Sequence, residues 1–230
     1  MKSDASRRAF LLACAASAAR AQDSPQDRAW QSLFDGKTTA GWLEVTGRPF
    51  PIECWAIDGG CLKAFPGPHG NQDIRTAESY SDFEFAFSWR ILKGGNSGVK
   101  YLVQNTDRWT NAAGLQARAR GPEFQLVDSD IDDASDPTRK SGALYSVLAP
   151  TTHAARRPGE WNNSRLIVQA GRVEHWINGA RVLAYSLAQH EVIKLLEEHR
   201  KSKDIVISSP ICLQNHGSPV WFRDLKVRKL

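Results

Sequence analysis

The stretch DFEFAFSWRI, residues 82–91, sets the architecture of this chain. Phe83, Phe85, Phe87, Trp89 and Ile91 alternate with Asp82, Glu84, Ala86, Ser88 and Arg90. A period of two puts the large apolar side chains on one face of a strand and the polar ones on the other. Such a strand needs a second layer over its apolar face. The same pattern extends outward along the chain. Val99, Tyr101 and Val103 repeat it after the turn Gly94-Gly95-Asn96, and Leu166 and Val168 repeat it within 164–169. Asn178-Gly179 is a two-residue hairpin signal between strands expected at 172–177 and 180–185. Further strands are expected over 205–214 and 220–229. One stretch differs: 187–201 spaces Val192, Leu195, Leu196 and His199 as a helix does, without Gly or Pro, and reads as a surface helix inserted between strands. Asp128 to Pro137 reads as an acidic, proline-containing loop. Many short strands with turn signals between them predict an all-β sandwich or barrel. There is no internal repeat, no low-complexity tract and no sign of a second domain.

The first 21 of the 230 residues read as an export leader. Lys2, Arg7 and Arg8 precede an apolar run from Ala9 to Ala19 that is too short to span a bilayer. Ala19-Arg20-Ala21 is a small-x-small cleavage site, which makes Gln22 the expected first residue after processing. Ser6-Arg7-Arg8-Ala9-Phe10-Leu11 has the form of a twin-arginine signal. Leu11-Leu12-Ala13-Cys14 offers a rival reading, a lipobox with Cys14 lipidated, but it would leave an apolar region of only about five residues. No later segment is long and apolar enough to cross a membrane. The leader carries Lys2, Arg7, Arg8 and Arg20 against Asp4, so of the chain's net charge of +5 only about +2 belongs to the remainder. That balance argues against nucleic acid as a partner, which calls for a concentrated basic face. Cys54, Cys61 and Cys212 remain beyond the leader, an odd number. Cys54 and Cys61 flank the Asp58-Gly59 turn and are expected near each other. No pairing among the three follows from sequence.

A set of phrases carries more specific information. SLFDGKTTAGW (32–42), GGNSGVKYL (94–102), GPEFQLVD (121–128), SGALYSVLAP (141–150), GEWNNSRLIV (159–168) and LQNHGSPVWFRDLKVRKL (213–230) occur in this order and spacing. Together they resemble the 3-keto-disaccharide hydrolase family, from about Trp30 to Leu230. The resemblance implies a concanavalin A-like lectin or glucanase jelly-roll sandwich, curved so that its concave face holds sugar. It also implies a carbohydrate substrate, an oxidised 3-keto sugar.

Glu123 is the first candidate for chemistry. In Glu123-Phe124-Gln125-Leu126 the acid and the amide share one face and the apolar pair the other, which suggests a polar groove on a central strand. Laminarinase-like glucanases place catalytic carboxylates on a comparable strand, an argument by fold analogy alone. His216 is the second candidate, sharing a face with Gln214 and able to exchange protons near neutral pH. Arg75, Arg90, Asn96, Lys100, Gln125 and Tyr145 are candidates to line a sugar groove, and Trp161 to stack on a pyranose. Asp128 either binds a sugar hydroxyl or opens the acidic loop. The run Asp128-Ser129-Asp130-Ile131-Asp132-Asp133 begins like a calcium loop. It lacks glycine at the sixth place (Asp133) and has Arg139 at the twelfth, so a solvated turn is the better reading. His175, His190 and His199 look structural, and His69 and His153 carry no argument. No metal-ligand spacing and no cofactor signature is evident, although a divalent cation held by distant residues stays open.

An ordinary glycosidase needs two placed carboxylates, and Glu123 has only Asp128 as a doubtful partner. A 3-keto sugar needs less. Its C3 carbonyl acidifies the hydrogen at C2, one base removes it, and the C1 oxygen leaves by β-elimination, with or without later addition of water. Glu123 or His216 is expected as base, the other as proton donor, with Arg75, Lys100 or a bound cation facing the enolate oxygen. The keto group would come from a separate sugar oxidoreductase. The alternatives are a non-catalytic lectin-like binding module, which would need its aromatics but not Glu123, and an ordinary β-glucanase.

Overall fold

A computed structural model describes residues 29–128 and 135–230. The leader expectations, including Arg7-Arg8 and Cys14, lie outside the described residues, as does the middle of the acidic loop, 129–134. The strands are β1 (Gln31–Ser32), β2 (Trp42–Glu44), β3 (Trp55–Asp58), β4 (Cys61–Ala64), β5 (Gly70–Gln72), β6 (Ile74–Thr76), β7 (Phe83–Ile91) and β8 (Asn96–Lys100). They continue with β9 (Asn105–Asn111), β10 (Gly114–Arg120), β11 (Glu123–Val127), β12 (Asn162–Gln169), β13 (Arg172–Ile177), β14 (Ala180–Ser186), β15 (Cys212–Leu213) and β16 (Val220–Lys229). Helix α1 (His190–His199) sits between β14 and β15.

The result is an all-β jelly-roll sandwich. One sheet runs β14-β13-β12-β7-β16-β4-β3 with β1 also on β16, and the other runs β11-β8-β15-β6-β2. Strand β7 takes β12 on one side and β16 on the other. Its five apolar residues are all buried. Phe85 and Phe87 stack at 4.9 Å, and Phe87 meets Phe124 of the second sheet edge-on at 5.7 Å. Such offset and edge contacts suit ring quadrupoles and add to the burial of large apolar area. The outer face of β7 is less wet than its alternation suggests. Glu84 is 2% exposed, because Arg165 (3.0 Å) and Arg228 (2.8 Å) close over its carboxylate. Asn178 and Gly179 both have positive φ, 50° and 86°, as the two-residue turn between β13 and β14 requires.

A third, three-stranded sheet, β5-β10-β9, crosses part of the outer face of the β11-β8-β15-β6-β2 sheet. Ala117 and Ala119 of β10 bury against Val45, Val103 and Cys212 there, a small core separate from the main one. Lys100 Nζ also donates to the Ala119 carbonyl at 3.1 Å. Asp73, between β5 and β6, ties the layers together: its backbone N–H donates to Ala117 O at 2.8 Å.

Several expectations need correction. The run Val99, Tyr101, Val103 does not stay on one face, because Leu102 adopts a positive φ of 46° and turns Val103 into the small core. The strand expected at 205–214 shrinks to Cys212–Leu213. Pro210 offers no N–H to a ladder. The Gln104 side chain instead binds Val206 like a strand, accepting its N–H at 2.8 Å and donating to its carbonyl at 2.9 Å. The helix is shorter than 187–201. Cys54 and Cys61 are not neighbours: Cys54 lies opposite Phe65 at one end of the β3–β4 hairpin and Cys61 at the other, and both, like Cys212, are buried free thiols. Among the described residues no helix is long and apolar enough to cross a membrane.

Candidate functional site

Strand β11 lies at one end of its sheet and pairs with β8 in the register Glu123↔Lys100. Lys100 in turn faces Cys212 of β15, and Cys212 faces Arg75 of β6. These residues therefore form one row on the face of the sheet turned away from the main core. Phe124 points the other way and stacks on His175 at 4.2 Å. His175 is itself fixed between the Tyr101 hydroxyl (2.7 Å) and the Gly142 carbonyl (2.9 Å). Burial pushes its pKa down to about 3, so it is neutral and braces β11 from behind. On the front, room for the Glu123 side chain comes from Gly98: a Cβ at that position would lie 2.2 Å from Glu123 Oε1.

Glu123, Lys100 and Asp73 make a chain of charges with the cation in the middle. Lys100 Nζ is 3.5 Å from Glu123 Oε2 and 3.5 Å from Asp73 Oδ2. Asp73 is fully buried and over-supplied with donors: Arg118 at 3.2 Å and the backbone N–H groups of Ala119 (3.2 Å) and Asn215 (3.1 Å). Gln214 Nε2 donates to Glu123 Oε2 at 3.3 Å. In the amide orientation that satisfies its neighbours, Gln125 donates to Glu123 Oε1 at 3.1 Å. Burial drives the Lys100 ammonium toward its neutral form, but Glu123 and Asp73 together outweigh it and hold its pKa above the usual value. For Glu123 burial is the largest influence and raises the pKa above the ordinary glutamate range. The shared Lys100 opposes this only in part, and Asp73 adds to the rise. Glu123 shares its one cation with Asp73, which has a second in Arg118.

Glu123 and Lys100 of this row floor a cavity of about 750 Å³, within the ~300–1,000 Å³ usual for small-molecule sites. Trp109, Arg118 and Arg120 of the β9–β10 hairpin form one wall, Tyr145 to Val147 another, and α1 a third, and Gln214 and His216 also line it. Helix α1 buries Val192 and Leu196 and turns His190, Glu191, Lys194, Leu195, Glu198 and His199 to the cavity. The Tyr145 N–H bonds Glu123 O at 3.0 Å, which fixes that wall to β11.

Of the residues singled out from sequence, Glu123, Lys100, Tyr145 and His216 come together at this cavity, and Gln125 lies behind Glu123. Asn96 is buried farther along β8. Asp128 is 2% exposed, and its carboxylate accepts the Gly94 N–H at 2.8 Å, closing the turn before β8. Arg75 shares the row but does not line the cavity; its guanidinium donates to Thr76 O at 3.3 Å. Arg90 and Trp161 lie on the outer face of the other sheet, stacked at 5.1 Å. Asp73, Arg118, Trp109 and the cavity face of α1 were not singled out. His190 and His199 reach the cavity rather than serving only the fold; the ring Nδ1 of His199 is buried there without a partner, and burial, Arg120 and Lys100 lower its pKa. One signal was readable. Gln116, Arg118 and Arg120 alternate along β10, but nothing in the sequence says which layer they face. Among the described residues no group of three or more His, Cys, Asp or Glu side chains is placed to hold a metal ion.

Residues 29–228 match the family model of the 3-keto-alpha-glucoside-1,2-lyase-like domain. A protein of Bacteroides thetaiotaomicron named 3-keto-disaccharide hydrolase is 31% identical, the alignment covering 86% of this chain and 78% of that one. The crystal structure of a candidate glycosyl hydrolase from Parabacteroides distasonis superposes with a TM-score of 0.71 at 26% identity, over 91% of this chain and 98% of that one. The exoplasmic domain of VIP36, solved with Ca²⁺ and Man3GlcNAc, superposes with a TM-score of 0.51 at 9% identity over 86% of each chain, a likeness of fold alone.

Proposed function

Because the chain belongs to the 3-keto-alpha-glucoside-1,2-lyase-like family, we propose that this carbohydrate-active enzyme cleaves the glycosidic bond of 3-keto-glycosides by elimination. The observation that carries the reading is the pairing of a buried carboxylate and a buried ammonium, Glu123 and Lys100, on the floor of a sugar-sized cavity. Glu123 takes the C2 proton; its raised pKa makes it a stronger base than an exposed glutamate. The electron pair of the C2–H bond moves toward C3, and the C3 oxygen becomes an enolate. Lys100, held charged by its two acids, stabilises that oxygen at no cost of reorganisation. Collapse of the enolate restores the C3 carbonyl, forms the C1–C2 double bond and breaks the bond from C1 to the leaving oxygen. His216, which lines the cavity, gives that oxygen its proton. Water adding across the double bond completes a net hydrolysis.

In this reading residues 1–21 direct export, and a separate sugar oxidoreductase supplies the 3-keto group. The test is a pair of substrates with one chromogenic leaving group, a 3-keto-glucoside and the same glucoside unoxidised. The purified protein is expected to release the chromophore from the keto compound alone. Equal release from both would make it an ordinary glycosidase. Binding of both without release would make it a binding module.

A further inference from the structure

The eight tryptophans divide unevenly over the molecule. Trp42, Trp55 and Trp89 are in the core, and Trp109 lines the cavity. The remaining four, Trp30, Trp161, Trp176 and Trp221, all lie on the outer face of the larger sheet, opposite the cavity, and each has a cation over its ring. Arg223 sits 4.0 Å from the centre of Trp161, Arg165 4.5 Å from Trp176, Arg90 4.6 Å from Trp221 and Arg228 4.8 Å from Trp30. Arg165 and Arg228 are also held by Glu84 and Arg223 by Asp224; with the ring contacts this orients the planar guanidinium groups, so less freedom is lost when they meet an anion. On strands β3, β4, β7, β12 and β16 this face carries six cations, Lys63, Arg90, Arg165, Arg223, Lys226 and Arg228. Three carboxylates, Asp58, Glu84 and Asp224, stand against them.

The same face is indented. A concavity of about 450 Å³ lies among Ser88, Asn163, Arg165, Trp176, Asp224 and Lys226. Its carboxylate is delivered by a bulge in β16, where Asp224 holds a positive φ of 53° that a non-glycine residue rarely adopts. There it accepts from Ser88 Oγ at 3.0 Å, which also lies 2.8 Å from Asn163 Oδ1. Hydroxyl, amide and carboxylate beside an indole and two cations form a set that recognises a polyol bearing negative charge.

We propose that this face is a second glycan-binding site, for a polysaccharide whose rings carry carboxylates or sulfates. Charge complementarity selects that occupant. A second copy of the chain would bring one positive face against another. An anionic lipid surface would satisfy the cations but has no use for the hydroxyl, amide and carboxylate in the indentation. The inference does not depend on the chemistry assigned to the cavity.

The test is electrophoresis of the full chain through gels containing polygalacturonate, dextran sulfate or neutral hydroxyethylcellulose. Retardation is expected in at least one anionic gel, weakening with salt, and not in the neutral one. Arg223→Glu with Lys226→Glu, both exposed, is expected to lower the affinity at least about tenfold, with the thermal midpoint and any turnover in the cavity unchanged. Asn163→Ala, which keeps every charge, is expected to weaken binding as well. No retardation in either anionic gel would overturn the proposal. So would full binding by Asn163→Ala, which would mean charge attraction alone, or equal binding to duplex DNA or to phosphatidylserine vesicles.

Discussion

Glu123→Gln is expected to lower kcat/KM on a 3-keto-glucoside by about a thousandfold, the range in which loss of a positioned general base falls. The amide has the shape of the acid, fits the space left by Gly98, and can still accept from Gln214 through its oxygen. Lys100 keeps Asp73 as its counter-ion. The variant therefore should fold with a thermal midpoint close to that of the parent. Its pH dependence should change with its rate. In the parent, Glu123 must be ionised to act, and burial raises its pKa, so activity is lost as pH falls through a value above the ordinary glutamate range. That acid limb should vanish from the residual activity of the amide. A Glu123 that only stabilised the sheet would show the opposite pattern: a lowered midpoint, with activity retained in the folded fraction.

Lys100→Met is expected to damage both rate and stability. The methionine fills similar volume but leaves Asp73 and Glu123 buried without the ammonium between them. Removing one partner of a buried ion pair costs about 3–5 kcal/mol. Loss of the cation facing the enolate oxygen should lower kcat by about 10²–10³. The sign of the pH effect is fixed by Glu123. Lys100 is the main influence that lowers its pKa, so without it the folded value moves still farther above the unfolded one. A group raised in this way contributes stability that is fully present below its unfolded pKa and lost as pH rises through its folded pKa. The variant should thus recover stability relative to the parent on acidification, which urea midpoints at pH 7.5 and pH 5 would read. Its acid limb of activity should shift to higher pH. A stability deficit independent of pH, together with a rate within a few-fold of the parent, would remove Lys100 from the account.

The sandwich was legible because alternation is a local property. Phe83 to Ile91 announce a half-buried strand without reference to any neighbour, and Asn178-Gly179 names its turn by the backbone it permits. Glu123 was legible for the same reason, as a polar residue in phase with Gln125 on an otherwise apolar strand. Lys100, Tyr145 and His216 were singled out with it, from the phrases they stand in, and they line the same cavity; the rest of the site was not legible. Asp73 sits between two short strands, and only the tertiary fold brings it within 3.5 Å of Lys100. Arg118 alternates like any surface arginine until the third sheet turns it inward. Helix α1 could be read from its spacing, but not that its polar face would wall the cavity, because that depends on which layer Val192 and Leu196 pack into. Arg75 illustrates the reverse error. It stands in the same sheet row as Glu123, yet the β10 strand crosses the sheet between that end and the cavity. Period and register are carried by the strand itself, whereas the layer laid over it is decided by long-range packing.

Removal of the C2 proton distinguishes this chemistry from every ordinary hydrolysis of the same bond. A 3-keto-glucoside carrying deuterium at C2 can be followed in ordinary water by its leaving group and by the isotope content of its sugar. The account predicts that deuterium is lost in step with release of the leaving group, that release is slower than from the hydrogen compound, and that Glu123→Gln slows both together by the same factor. Release of the leaving group with the deuterium fully retained at C2 would contradict it.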